Sequence, residues 1–110
     1  MPTLVLVRHA QAAYNYPDRA RPLTEAGRDQ AARLGVTLAR EIGAFSVAVS
    51  SDAQRACETF AAILARVDTD DSWHDRSIYD GGEEEVIELA RTFTGEAGLI
   101  VGHEPVISYA

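Results

Sequence analysis

Leu4-Val5-Leu6-Val7-Arg8-His9-Ala10 runs four aliphatic side chains straight into a guanidinium and an imidazole. A short apolar run bounded by Pro2 and a polar stretch reads as a buried strand covered on both faces, as in a parallel sheet. Ligands in such α/β sheets collect outside the carboxyl ends of the strands, which is where Arg8 and His9 fall. Taken alone, the tetrapeptide Val7-Arg8-His9-Ala10 fits two readings, a functional site or a capping arginine beside a hydrogen-bonded histidine. Working outward, Gly98-Leu99-Ile100-Val101-Gly102-His103 repeats the design, an apolar strand with a histidine at its exit. Phe45-Ser46-Val47-Ala48-Val49-Ser50-Ser51 is a third apolar strand. Ser50-Ser51-Asp52 then supplies residues of N-cap type, so the spacing predicts a helix from Asp52 to about Arg66 with Arg55 in its first turn. Parallel strands share one carboxyl edge, so Arg8, His9, Arg55 and His103 are expected to converge there. Two guanidiniums and two imidazoles in one place suit an anion.

Several of these elements together resemble the histidine phosphatase superfamily, whose fold is phosphoglycerate mutase-like and in which a histidine is phosphorylated and released during turnover. The resemblance rests on Arg8-His9, on Ser50-Ser51-x-x-x-Arg55-Ala56-x-x-Thr59 and on Gly102-His103, in that order. Arg8-His9-Ala10-Gln11-Ala12-Ala13-Tyr14-Asn15 has the spacing of the family opening Arg-His-Gly-Glu-x-x-Trp-Asn, and Pro22-Leu23-Thr24-Glu25-Ala26-Gly27 is similar to its Pro-Leu-Thr-x-x-Gly stretch. Motifs in the right order at the predicted structural positions carry more weight than any one of them. Ala10 stands where relatives commonly have Gly, and Gln11 replaces the usual acidic residue, a departure from the mutase pattern.

The chain has 110 residues, is 46% hydrophobic and carries a formal net charge of -7. These values describe one globular domain spanning residues 1–110, and they argue against a broad nucleic-acid-binding face or electrostatic attachment to anionic membranes. No apolar stretch reaches the roughly 18 residues of a membrane span, and the first apolar run follows Met1 without a basic leader, so a cytoplasmic protein is expected. The single Cys57 excludes an internal disulfide, and its place on the helix after Arg55 reads as a small core residue. Between the strands, Thr24 opens a helix that runs to about Ile42, with Ala31, Leu34, Leu38 and Ile42 at helical spacing and Gly43 ending it. Ala56, Phe60, Ile63 and Leu64 form the buried stripe of the next helix. Asp68-Thr69-Asp70-Asp71-Ser72 is expected to be a solvated acidic loop, and Trp73 to Tyr79 a short strand or an irregular connection. Glu83-Glu84-Glu85 is expected to form the first turn of a helix. The order of elements predicts a three-layer α/β/α domain with a mainly parallel central sheet. The resemblance further implies a helix and a strand after the second histidine, which the chain, stopping at Ala110, would lack.

A neutral imidazole in line with a phosphoryl group is a competent nucleophile, and His9 is the residue assigned to that role. Arg8 and Arg55 would hold the phosphoryl oxygens, because a planar fork matches them, and His103 would donate to the same oxygens. The positive groups supply the charge stabilisation, so neither a metal nor a cofactor is expected. Pairing of His9 and His103 on zinc is disfavoured by the two nearby guanidiniums. By the resemblance, Arg21 would meet substrate at the rim; its alternative is a plain surface arginine. A poor leaving group needs a general acid, and Asp80 fits the family pattern best, with Glu83 next, although either also serves as a helix cap. The chain most resembles the short phosphohistidine phosphatases, the compact branch of the superfamily, and the implied activity is a phosphatase acting on a phosphorylated protein, with phosphohistidine the leading case, or on a small phosphate ester. A phosphoglycerate mutase is disfavoured by length, and a phosphate-binding regulatory module without turnover is the alternative from a different class.

Overall fold

The structure, a computed structural model, describes residues 3–80, 83–93 and 95–103. Four strands make one all-parallel sheet: β1 (Thr3–Arg8), β2 (Ala44–Ser50), β3 (Asp68–His74) and β4 (Ala97–Gly102), in the spatial order β1-β4-β2-β3. Helices α1 (Glu25–Glu41) and α2 (Gln54–Leu64) cover one face, and α3 (Arg76–Asp80) and α4 (Glu83–Arg91) lie on the other. This is the expected α/β/α arrangement. Among the described residues no helix is long and apolar enough to cross a membrane.

Strand alternation divides the core in two. Val7, Leu99 and Val101 face Leu38, Ala56, Phe60 and Ile63 of α1 and α2, whereas Val49 and Ile100 face Ile78 and Val86 on the opposite side. Period-two side chains on β1 and β4 thus feed two separate apolar layers. β4 is central and buried along its whole length. β1 departs from the reading of a strand covered on both faces: it is an edge strand, and Leu4 keeps 45% of its surface exposed.

Two further expectations are corrected. Asp68 to Ser72 is no loop but most of β3, paired in register with β2 from Ala44↔Asp68 to Ser50↔His74. Its composition hid it, since Asp and Ser are depleted in strands. An edge strand needs only one neighbour, and carboxylates on its outer side guard it against pairing with another chain. Accordingly Trp73 and His74 finish that strand, and Arg76 to Tyr79 belong to α3. The N-cap of α2 is Ala53, which makes no side-chain cap, so Ser50, Ser51 and Asp52 are left for other partners.

The helix α1 begins as its sequence suggests. Thr24 is its N-cap and accepts from the Gly27 amide at 2.9 Å. At its far end Gly43 adopts φ 84° and donates to the Leu38 carbonyl, a left-handed stop that glycine makes without a steric penalty. Gly27 has a different purpose: a Cβ there would lie 2.0 Å from the Gln11 carbonyl oxygen. The Pro-Leu-Thr-x-x-Gly stretch therefore presses α1 against the loop that follows His9. Thr24 N donates to Gln11 O and Ala13 N to Pro22 O, which stitches that loop in place. Segment 104–110, which the helix and strand after His103 would continue, lies outside the described residues.

Candidate active site

All four strands end on one edge, and the chemistry gathers there. β1 and β4 are neighbours with Arg8 opposite Gly102, and His9 N donates to Gly102 O at 3.0 Å. His9 and His103, the residues that follow these two strands, consequently stand side by side with ring centroids 5.3 Å apart. The convergence expected of His9, Arg55 and His103 is present.

His9 is held in a definite tautomer. Its Nδ1 lies 2.7 Å from the Ala10 carbonyl oxygen, which can only accept, so Nδ1 carries the hydrogen. The Nε2 lone pair then faces outward and accepts from Arg55 Nε–H at 3.2 Å. Burial lowers the His9 pKa, the Ala10 hydrogen bond opposes this, and Arg55, Arg8 and Arg21 lower it further. The ring is therefore mainly neutral at pH 7, with its Nε2 electron pair turned to the Arg55 guanidinium. The loop after it is fixed by Thr59 Oγ1, which accepts from Ala10 N at 3.0 Å and donates to the Arg55 carbonyl at 2.8 Å.

Arg55, in the first turn of α2, is nearly buried, with 7% of its side chain exposed. A buried guanidinium is tolerated only when its donors are satisfied. Besides His9, it donates through Nη1 to the Asp18 carbonyl at 2.6 Å and through Nη2 to Asp18 Oδ2 at 3.3 Å. Asp18 opens a single 3-10 turn, Asp18–Ala20, in the loop between β1 and α1. Its carboxylate also accepts from Tyr79 Oη at 2.5 Å and from Arg21 Nη1 at 3.4 Å. The Tyr79 hydrogen bond, foremost, together with Arg55 and Arg21, holds its pKa below the ordinary value.

His103 is anchored by the other nitrogen. Its Nε2 lies 2.7 Å from Ser51 Oγ, while Nδ1 is buried with no hydrogen-bond partner among the described residues. Burial, then the positive charge of Arg55 and of His9, lower its pKa to about 4. Ser51 itself accepts from Ala53 N and is tied to β4 through the Val101 carbonyl. Ser51 thus holds the second histidine, while the Ser50 hydroxyl bonds to Ser51 O at 2.6 Å and to His74 Nδ1 at 2.9 Å.

The remaining candidates are spread around this centre. Arg8 is exposed and lines a cleft of about 270 Å³ together with His9, Tyr14 and Arg21. Arg21 is no loose surface residue: its Nε donates to Ala13 O at 2.7 Å and its guanidinium stacks over the Tyr14 ring at 4.7 Å. Asp80 is ion-paired with Arg76 at 2.8 Å and with Arg19 at 3.5 Å, and no contact joins it to Arg55 or either histidine. The Glu83 side chain lies outside the described residues. Cys57 is partly buried, its Sγ 3.5 Å from Ser51 O and from His74 Nδ1, and burial raises its pKa. Among the described residues no three His, Cys, Asp or Glu side chains assemble as a metal site.

Sequence reasoning missed Asp18 and Tyr79. Neither sits at a strand exit, and an aspartate in a polar loop carries no periodic signal. The hint available was Asp18's position three residues before Arg21, on the same short loop.

The model of the histidine phosphatase superfamily, branch 1, matches residues 4–83. The chain belongs to this superfamily. The match covers the first histidine, Arg21 and Arg55. No curated protein matches the chain. Among solved structures, it is 33% identical to one described as the phosphohistidine phosphatase SixA from Nakamurella multipartitia, with a TM-score of 0.88. The superposition covers 98% of this chain and 62% of that one, so the chain spans about three-fifths of the length of that relative. A protein from Agrobacterium tumefaciens described in the same way is 26% identical over 96% of this chain and 71% of that one, with a TM-score of 0.83. A phosphoglycerate mutase from Plasmodium falciparum is also 26% identical, with a TM-score of 0.69 and coverage of 96% and 64%. As a histidine phosphatase superfamily fold, the molecule resembles both the SixA-type and the mutase-type members.

Proposed function

We propose that the protein is a metal-independent phosphatase that works through a phosphohistidine on His9. The observation that carries this is the His9 tautomer: Nδ1–H is tied to Ala10 O, and the Nε2 lone pair points at the Arg55 guanidinium. Nε2 would attack phosphorus while the bond to the leaving group breaks, the bonding electron pair leaving with that group, which takes its proton from solvent. Water would then cleave the N–P bond, releasing phosphate and restoring the neutral imidazole. Arg8, Arg21 and Arg55 would hold the phosphoryl oxygens, where charge is concentrated in the transition state. Ser51 O–H donating to His103 Nε2 would fix the Nδ1–H tautomer of His103 and give the pocket a neutral donor. Asp80, paired with Arg19, would act as a positioning residue on this reading.

Phosphohistidine on another protein is the favoured substrate, supported by the 33% identical relative described as a phosphohistidine phosphatase. An imidazole leaves well once protonated, so such a substrate makes little demand on a general acid. A small phosphate ester is the second reading, supported by the mutase-type relative. We place the activity in the cytoplasm. The test is quenched-flow and steady-state assay of the parent and His9→Ala with p-nitrophenyl phosphate and a phosphohistidine peptide. Turnover with an acid-labile phosphoenzyme, both lost in His9→Ala, is the expected result. Phosphate binding without turnover or trapping would replace this reading with that of a regulatory phosphate-binding module.

A further inference from the structure

We propose that Asp18 is an internal anion of the pocket: its carboxylate engages Arg55, competes with an incoming phosphoryl group for that guanidinium, and disfavours substrates that carry further negative charge. The inference deepens the proposed function and rests on its phosphate pocket. Arg21 and Arg55, two of the guanidiniums offered to phosphate, both reach this one carboxylate, through Oδ1 at 3.4 Å and Oδ2 at 3.3 Å. A carboxylate presents the same acceptor geometry to an arginine fork as two phosphoryl oxygens do. The Tyr79 hydroxyl adds a third donor at 2.5 Å.

The surroundings separate a fixed backbone from a movable side chain. Arg55 Nη1 holds the Asp18 carbonyl, and Arg19 ties the turn to Asp52 at 2.9 Å and to Asp80 at 3.5 Å while stacking over Tyr79 at 4.4 Å. The Asp18 side chain is 55% exposed. Yielding to phosphate therefore takes rotation of one side chain with no opening of the loop. The Nη2 donor passes from carboxylate to phosphoryl oxygen on binding and returns as product leaves, so the exchange favours release. A substrate with its own carboxylate would meet Asp18 as a like charge, whereas a phosphoramidate whose leaving group becomes a neutral or cationic imidazole would not.

The experiment is isothermal titration of the 110-residue chain with inorganic phosphate, and separately with 3-phosphoglycerate, at pH 7. Asp18→Asn is expected to bind phosphate about tenfold more tightly than the parent, the size of effect that removing one partly screened charge produces near a protein surface. Its gain for 3-phosphoglycerate should be larger still. Tyr79→Phe, which loosens the carboxylate without removing it, should shift phosphate affinity the same way by a smaller factor, and it keeps the idea testable if Asp18→Asn does not fold. Unchanged or weaker phosphate binding in a folded Asp18→Asn overturns the competition, and equal gains for the two ligands overturn the charge selectivity. Phosphate binding needs no turnover, so these failures are distinct from failure of the phosphatase reading; absence of phosphate binding in the parent and both variants would sink both.

Discussion

His9 and His103 occupy matching positions, one residue beyond two paired strands, yet the fold ties them by opposite nitrogens. His9 is held through Nδ1 by a carbonyl oxygen, which leaves Nε2 as a lone pair beside Arg55. His103 is held through Nε2 by a serine hydroxyl, which leaves Nδ1 buried and unpartnered among the described residues. The residue type is the same in both places, and what differs is the partner of the second nitrogen. A carbonyl dictates the tautomer, whereas a hydroxyl accepts either one. A lone pair fixed in direction suits attack, whereas on the proposed reading the serine hydroxyl leaves His103 a neutral donor through Nδ1–H.

The bluntest way to break this comparison is to remove each ring in turn. His9→Ala should lower kcat with p-nitrophenyl phosphate by about a thousandfold or more and abolish the trapped phosphoenzyme if, as proposed, His9 is the nucleophile. His103→Ala should slow turnover by about ten- to a hundredfold while the phosphoenzyme on His9 still forms, as expected for loss of one donor. Equal losses of phosphoenzyme in the two variants would erase the asymmetry. Next in size is the Arg55 guanidinium, which hydrogen-bonds His9 and not His103 and holds Asp18 as well. Arg55→Lys keeps the charge but not the fork, and kcat/KM should fall by roughly a hundredfold. Near-parent kcat/KM in that variant would show that the fork does not matter.

Acid sharpens the comparison more gently. Both histidines have folded-state pKa values below their ordinary value of 6.5, His103 down to about 4. Between the folded and unfolded values the unfolded chain binds more protons, so this stabilisation is fully present above pH 6.5 and is lost as pH falls toward 4. The Tm should decline on acidification from pH 6.5, and His103→Gln should flatten that decline more than His9→Gln does. A Tm curve unchanged by His103→Gln would contradict the burial argument for that ring. The smallest effect concerns the packing behind the loop that follows His9. Gly27→Ala would drive a methyl into the Gln11 carbonyl of the loop after His9, destabilising the protein by about 1–3 kcal/mol as overpacking does. Thermal unfolding would measure it.

Much of this molecule was legible in its residues. Val5, Val7, Leu99 and Val101 alternate with residues that face the other layer, and the strand exits at His9, Ser50 and His103 follow from where the apolar runs stop. Thr24 and Gly43 announce the ends of α1 because capping is local chemistry between residues a few positions apart. The strand β3 was not legible, because Asp68-Thr69-Asp70-Asp71-Ser72 has the composition of a loop and becomes a strand only by borrowing the hydrogen-bonding edge of β2.

At the site, the residue order alone shows which groups are available: two histidines at strand exits, Arg55 in a first turn, Arg8 and Arg21 near them. Their spacing along strands and helices is set by backbone period, which the sequence carries directly. Folding in three dimensions sets which nitrogen of each ring is bound, pairs Asp80 with Arg76 and Arg19, and brings Asp18 to Arg55 across 37 positions of chain. Hydrogen bonds between loops depend on where separate elements end in space, to within a few tenths of an ångström. No periodicity encodes that distance, so the assignment of Asp18 had to wait for the fold.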